Sequence, residues 1–222
     1  MKENKPALII FQKNLILGRV KTRLAADIGD EAALVAYKSL LSYTYEVLND
    51  LSVDKYIFYA DYIPVAKPSF DESYHFELQE GDDLGERMSK AFQTLFAKGY
   101  DSLIIIGTDC AELTTDILKD SFSILEQKDA VIGPATDGGY YLLGMSKFIP
   151  GLFENIPWST ELVARRSKEY LSLNNLSCGT VPVLSDVDLL ADWKRFESKL
   201  KLVKPRFSDE DLKEDIKQNT SQ

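Results

Sequence analysis

Four short stretches of this 222-residue sequence combine residue types that could do chemistry. The first is Gly18-Arg-Val-Lys-Thr-Arg23. Arg19, Lys21 and Arg23 can neutralise a polyphosphate, and Gly18 lets backbone N–H groups approach it. Lys21-Thr22 looks like the end of a P-loop, but that motif needs Gly before the Lys, and Val20 stands there. The other reading is a solvated basic loop. The second stretch is Gly107-Thr-Asp-Cys110. Asp109 could ligate Mg²⁺ or Mn²⁺ while the ion bridges phosphates. Its other role would be to cap the next helix, for which Thr114 or Thr115 is already available. Cys110 has no second His or Cys to assist it, so it reads as a buried, inert thiol.

The third stretch is Gly133-Pro-Ala-Thr-Asp-Gly-Gly-Tyr-Tyr141. Asp137-Gly138 by itself is a hairpin turn. With Gly139 and Tyr140 beside it, the backbone could approach a ligand and a ring could face it. The fourth is Asp186-Val-Asp188. On an extended segment the two acids share a face and could complete a metal site with Asp109. Taken alone, the stretch reads by a narrow margin as the cap of the helix that follows.

These stretches need elements to position them. Ala7–Phe11 and Ser102–Ile106 are continuous apolar runs, the pattern of strands buried on both faces. Further strands are expected over Lys55–Ala60, Tyr74–Leu78, Ala130–Ile132, Tyr140–Leu143 and Thr180–Val183. Gly133-Pro134 should break the strand from Ala130. Helices are expected from a cap at Asp30, over Leu84–Ala97 with Gly99 closing it, after Thr114 or Thr115, after Ser159 or Thr160, and from Asp188 to Leu200. Alternating strands and helices predict an α/β fold with a mostly parallel sheet covered on both faces. Ligands of such sheets bind beyond the C-terminal strand ends, where the four stretches fall. One domain is expected over residues 1–203, with a polar, frayed tail from 204 to 222.

Composition narrows the class. A net charge of −9 argues against a nucleic-acid surface. The single histidine, His75, alternates with apolar residues and reads as structural, which disfavours zinc chemistry and a Ser-His-Asp triad. No run is long and apolar enough for a membrane span. Two cysteines and a polar N-terminus predict a cytoplasmic protein.

The order of the stretches is more specific than any one of them. Gly-x-Val-Lys-Thr-Arg-Leu, Asp-Leu-Gly-Glu-Arg-Met at 83–88, Gly-Thr-Asp-Cys, Gly-Pro-Ala-x-Asp-Gly-Gly-Tyr-Tyr-Leu, Trp-Ser-Thr at 158–160 and Asp-Val-Asp follow in that order. Together they resemble the DUF2064 family, the radical-SAM/selenodomain-associated transferase 1 group. That family is similar to GT-A nucleotide-diphospho-sugar transferases and to molybdenum-cofactor and coenzyme F420 guanylyltransferases. The resemblance implies a GT-A fold, a three-layer α/β/α sandwich with a mixed sheet. It implies that Gly18, Arg19, Lys21 and Arg23 wrap nucleotide phosphates, that Asp109 and Asp188 hold Mg²⁺ or Mn²⁺, and that Asp137 lies in the acceptor-side turn. Arg87, Gly138, Gly139 and Tyr140 complete the expected substrate-binding set. The sequence departs from the family pattern at Leu15 and Leu17, where prolines are usual, at Ala111 for Pro, and at Leu189 for Thr.

The expectation is a metal-dependent transferase using a nucleotide-sugar donor and an unspecified acceptor, with Lys21 and Asp137 as its catalytic residues. Its alternatives are a nucleotidyltransferase that releases pyrophosphate from a nucleoside triphosphate, and a nucleotide-binding module without turnover. A monomer or weak homodimer is expected.

Overall fold

The computed structural model describes residues 5–65 and 70–207. The C-terminal part of the expected tail, 208–222, lies outside the described residues. Seven strands form one sheet: β1 (Pro6–Gln12), β2 (Asp54–Tyr59), β3 (Tyr74–Leu78), β4 (Ser102–Ile106), β5 (Ala130–Pro134), β6 (Tyr140–Met145) and β7 (Cys178–Thr180). Their order is β3-β2-β1-β4-β6-β5-β7. Only β6 runs against its neighbours, pairing antiparallel with β4 and β5. The other pairings are parallel.

Among the described residues six α-helices cover the sheet: α1 (Thr22–Ile28), α2 (Asp30–Leu48), α3 (Leu84–Ala97), α4 (Thr115–Leu125), α5 (Val163–Leu173) and α6 (Leu190–Leu200). The pleat sorts the apolar residues of β1 between two cores. Leu8 and Ile10 join Leu24, Tyr37, Leu40, Leu118 and Phe196, from α1, α2, α4 and α6. Ala7 and Ile9 join Met88, Phe92, Leu95 and Leu171, from α3 and α5. Both faces are therefore buried, which is why the strands are uninterrupted apolar runs. The result is the three-layer α/β/α sandwich expected from the sequence.

Chain direction explains where a ligand can sit. From β1 the chain passes to β2 on one side, and β4 pairs on the other side. The loops leaving β1 and β4 therefore diverge and open a crevice at their C-terminal ends.

Local signals set most helix ends. The Asp83 carboxylate accepts from Glu86 N at the start of α3, and Thr114 Oγ1 accepts from Ile117 N at the start of α4. Gly99, at φ +91, follows the last turn of α3.

Several boundaries differ from expectation. The polar segment after β1 contains α1, a short helix that buries only Leu24. Gly29, at φ 85, ends α1 and starts α2, so Asp30 sits in the first turn rather than at the cap. α5 starts at Val163, because the Thr160 hydroxyl closes its own turn by donating to Pro157 O and accepting from Leu162 N. β5 continues through Gly133 and Pro134 with a register shift instead of breaking. β7 ends at Thr180, and beyond it one bridge joins Ala135 to Leu184. Residues 204–207 pack back on α2: Arg206 N donates to Ser42 Oγ, and the Phe207 ring lies against Tyr45.

One packing constraint is sharp. A Cβ on Gly85 would lie 2.1 Å from Trp158 Nε1. Gly85→Ala is expected to cost about 1–3 kcal/mol through forced displacement of the indole. Chemical denaturation would check this, with tryptophan emission reporting the move. Among the described residues no helix is long and apolar enough to cross a membrane.

Candidate functional site

The crevice between β1 and β4 is held in shape by a tyrosine on α2. Tyr37 Oη accepts from Lys13 N at 3.0 Å, lies 3.3 Å from Lys13 O and is 3.1 Å from Thr108 Oγ1. It joins the first residue after β1 to the loop that leaves β4. Burial and the nearby Asp109 charge push its phenol well above the ordinary tyrosine range, so it stays protonated.

Two backbone devices bring the acids together. Val187 N donates to Asp109 O at 2.9 Å, which ties the Asp186–Asp188 segment to the loop after β4. At the start of α6 the Asp192 carboxylate accepts from Asp188 N at 3.2 Å and Leu189 N at 2.9 Å. The Asp186–Asp188 stretch therefore does not cap α6: Leu189 stands at the cap, and Asp192, three residues into the turn, ties down the backbone that leads into it. The Asp188 carboxylate is free to turn inward.

It turns toward Lys21. The lysine ammonium lies 2.7 Å from Asp109 Oδ1 and 3.0 Å from Asp188 Oδ1. The Lys21 side chain is only 4% exposed, whereas the carboxylates are 38% and 43% exposed. Burial by itself lowers the pKa of the ammonium, but the two carboxylates outweigh it and hold the pKa above the usual lysine value. The backbone is committed to this arrangement. Lys21 caps α1 at φ 48 and ψ 43, and its carbonyl accepts from Ala25 N at 2.8 Å. Arg23 stands at the rim, its Nη1 3.7 Å from Asp188 Oδ2.

Asp186 is near enough to this pair to feel its charges. Burial, then the charge of Asp109, pushes its carboxyl up to about 7, while Lys21 opposes the rise and Asp188 and Asp137 add to it. A carboxyl with a raised folded-state pKa keeps its proton in the folded protein over a range where the unfolded chain has lost it. Its stabilising contribution is complete below the unfolded pKa of about 4 and fades as pH rises to about 7. Asp186→Asn should therefore raise Tm at pH 8 and flatten the fall in stability between pH 4 and 7. Thermal melts in chelator across that range would check this.

Two connected hollows open here. A polar one of about 140 Å³ is lined by Lys13, Lys21, Thr22, Arg23, Asp109 and Asp188, with Val20 and Tyr37. An apolar one of about 300 Å³ includes Phe11, Tyr37, Leu84, Met88, Thr108 and Tyr140. They share Lys13, Tyr37 and Asp109. An aromatic hollow joined to a small basic and acidic one suits a ring attached to phosphates.

The other expected residues are placed as follows. Gly18 takes φ 74, and Arg19 is 70% exposed and faces Asp61 at 3.9 Å. Arg87 Nε donates to Gly81 O, which secures the turn before α3. Asp137 accepts from Gly139 N at 2.9 Å within its own turn. Gly138 is pressed against the Glu161 backbone, and its carbonyl accepts from Ala164 N. The Tyr140 ring meets Trp158 edge-on and lines the apolar hollow.

Sequence reasoning did not single out Tyr37, Thr108, Lys13 or Asp192 for this site. Tyr37 lies on the buried face of α2, where an aromatic is ordinary core. The spacing of Asp192 from the helix start was the one signal that could have freed Asp188 from its capping role.

Among the described residues no group of three or more His, Cys, Asp or Glu side chains is arranged to hold a metal ion. Asp109 and Asp188 supply two carboxylates. That set fits a hard divalent cation if phosphate and water oxygens complete its shell. Cys110 is buried, and its thiol is pushed up to about 12, chiefly by that burial and then by Asp186. Native protein at pH 8 should therefore leave Cys110 unmodified by a thiol reagent, as peptide mapping would show.

No curated protein matches the chain. Solved structures do. A candidate nucleotide-diphospho-sugar transferase from Desulfovibrio desulfuricans G20 is 26% identical and superposes with a TM-score of 0.76, covering 90% of this chain and 98% of its own. A 4-diphosphocytidyl-2C-methyl-D-erythritol synthase from Anaerococcus prevotii DSM 20548 is 8% identical, with a TM-score of 0.57 over 89% of this chain and 96% of its own. The inositol-1-phosphate CTP transferase of T. maritima is 13% identical, with a TM-score of 0.53 over 90% and 98%. The last two bear on the fold alone, which is GT-A-like. Residues 43–160, more than half of the chain, match the family described as "uncharacterized protein conserved in bacteria (DUF2064)", and the chain belongs to that family.

Proposed function

We propose that the protein is a transferase acting on a nucleotide-activated substrate, with a nucleotide-sugar as donor. One observation carries this reading: a buried lysine ammonium is shared by Asp109 and Asp188 at the mouth of the β1–β4 crevice. The nucleotide-diphospho-sugar transferase assignment of the Desulfovibrio relative supports it.

In this reading the apolar hollow takes the ring system of the donor, and Lys21 and Arg23 face its phosphates. Gly18 and Arg19 border the same loop. Asp109 and Asp188 would hold Mg²⁺ or Mn²⁺, and the cation would supply positive charge against the negative charge of a leaving phosphate. Asp137, on the turn between β5 and β6, positions or deprotonates the acceptor hydroxyl. Tyr37 and Thr108 fix the distance between the two loops, so the site is preorganised before substrate arrives.

A second reading is a nucleotidyltransferase that releases pyrophosphate. The single Asp109 after β4, in place of an Asp-x-Asp pair, favours it. Product analysis separates the two. Purified protein with Mg²⁺ or Mn²⁺ would be given nucleotide-sugars or nucleoside triphosphates, with small hydroxylated and phosphorylated acceptors. Nucleoside diphosphate released from a nucleotide-sugar is the expected result. Pyrophosphate from a triphosphate would replace the first reading with the second. Binding of nucleotide without turnover of either would reduce the protein to a binding module.

A further inference from the structure

The arrangement around Lys21 has a consequence for how the site fills. Its ammonium is within hydrogen-bond distance of one oxygen of each carboxylate that would hold the cation. A divalent cation that took those same two oxygens as ligands would compete with the ammonium for them. Two positive centres that close repel strongly in a partly buried site. The ammonium would have to leave, and a buried ammonium without an acceptor is costly. The small polar hollow beside Lys21 is lined by Thr22, Tyr37 and the cations Lys13 and Arg23, and by no acid besides Asp109 and Asp188; Asp186, whose carboxyl the Lys21 charge also reaches, is not part of that lining. Within the hollow, the anionic oxygens left to receive the displaced ammonium are those of a bound phosphate.

We propose that Lys21 is an internal stand-in for the divalent cation: it excludes the cation from the empty site and yields only when a polyphosphate arrives to take up its ammonium. This rests on the transferase reading and adds an order to it. Cation and phosphate then bind with positive coupling, and Lys21 is the source of that coupling. In its resting state the protein neutralises its own acids, which also keeps the two carboxylates from repelling each other when no substrate is present.

The test uses Mn²⁺ alone, inorganic pyrophosphate alone, and both together, with the full chain. Calorimetry and Mn²⁺ paramagnetic resonance report binding without any need for turnover. Wild-type protein should bind Mn²⁺ alone weakly. Lys21→Met should bind Mn²⁺ alone on the order of tenfold more tightly, and pyrophosphate should no longer strengthen that binding as it does in wild type. Equal or weaker Mn²⁺ binding by folded Lys21→Met would overturn the proposal. If Lys21→Met does not fold, wild type still decides. The proposal requires Mn²⁺ with pyrophosphate to raise Tm by more than the sum of the two separate shifts. A full shift from Mn²⁺ alone would overturn it. The transferase reading fails separately: if neither Mn²⁺, pyrophosphate nor any nucleotide binds wild type, both ideas fall. If nucleotide and cation bind but Lys21→Met gains no cation affinity, only the stand-in role falls.

Discussion

Asp109→Asn should lower turnover by on the order of 10²–10³-fold while leaving the fold intact. Asp109 reaches each part of the site. Its backbone carbonyl accepts from Val187, its carboxylate holds Lys21, and it lines both hollows. The amide keeps the shape and the backbone contact but removes the charge that a cation needs. Lys21 would keep Asp188 as a partner, so its ammonium would not be stranded. Initial rates with saturating donor, alongside circular dichroism, would check both halves of this expectation. A loss of activity that simply tracks a loss of folded protein would count against a direct role.

Gly138→Ala should destabilise the protein by about 2–4 kcal/mol, combining a left-handed backbone with a hard clash. Gly138 adopts φ +89, and a Cβ there would lie 2.1 Å from Glu161 O and 2.5 Å from Glu161 Cα. These are backbone atoms, so no side chain can swing aside. The Gly138 carbonyl also receives Ala164 N at the start of α5. The turn carrying Asp137 and the start of α5 should loosen together. Urea denaturation would give the stability change, and hydrogen exchange at residues 135–140 and 161–166 would show where it falls. Gly138, the first glycine of this turn, therefore serves packing against the 161–164 segment, a role different from the close approach to a ligand read from sequence.

The layers of the fold were legible because the strands are unbroken apolar runs and the helices repeat at three and four. Both signals come from burial on known faces, which sequence periodicity reports directly. The loop after β1 was legible as a cluster of cations but not as a helix. Only Leu24 of α1 is buried, so the apolar stripe that would announce a helix is missing. At the site, Asp109 and Lys21 could be selected one by one from their positions after strands. That they meet was not legible, because the contact spans more than eighty residues and depends on Val187 N and on the Tyr37 clamp. Asp188 was ambiguous for a specific reason. An acid before a helix is a good cap, and only the presence of Asp192 in the first turn decides which acid does the capping.

Arg19 and Arg87 illustrate a second limit. Cations near a candidate phosphate site look alike in sequence, but their neighbours sort them. Arg23 faces Asp188 at the rim, Arg19 faces Asp61, and Arg87 holds the carbonyl of Gly81. Of the three, Arg23 lines the polar hollow and is best placed to meet a phosphate.

A crevice that binds a nucleotide through a cation held by Asp109 and Asp188 should be stabilised by the two together. The most direct measurement is the melting temperature of wild-type protein with nucleoside diphosphates, triphosphates and nucleotide-sugars of each base, with and without Mg²⁺. At a hundredfold excess over Kd, a true ligand stabilises by about 2.7 kcal/mol, a rise of roughly 5–10 °C for a chain of this size. Such a rise is expected for at least one nucleotide, dependent on Mg²⁺ and absent in Asp109→Asn. No rise with any nucleotide, or a rise that Asp109→Asn keeps in full, would contradict it.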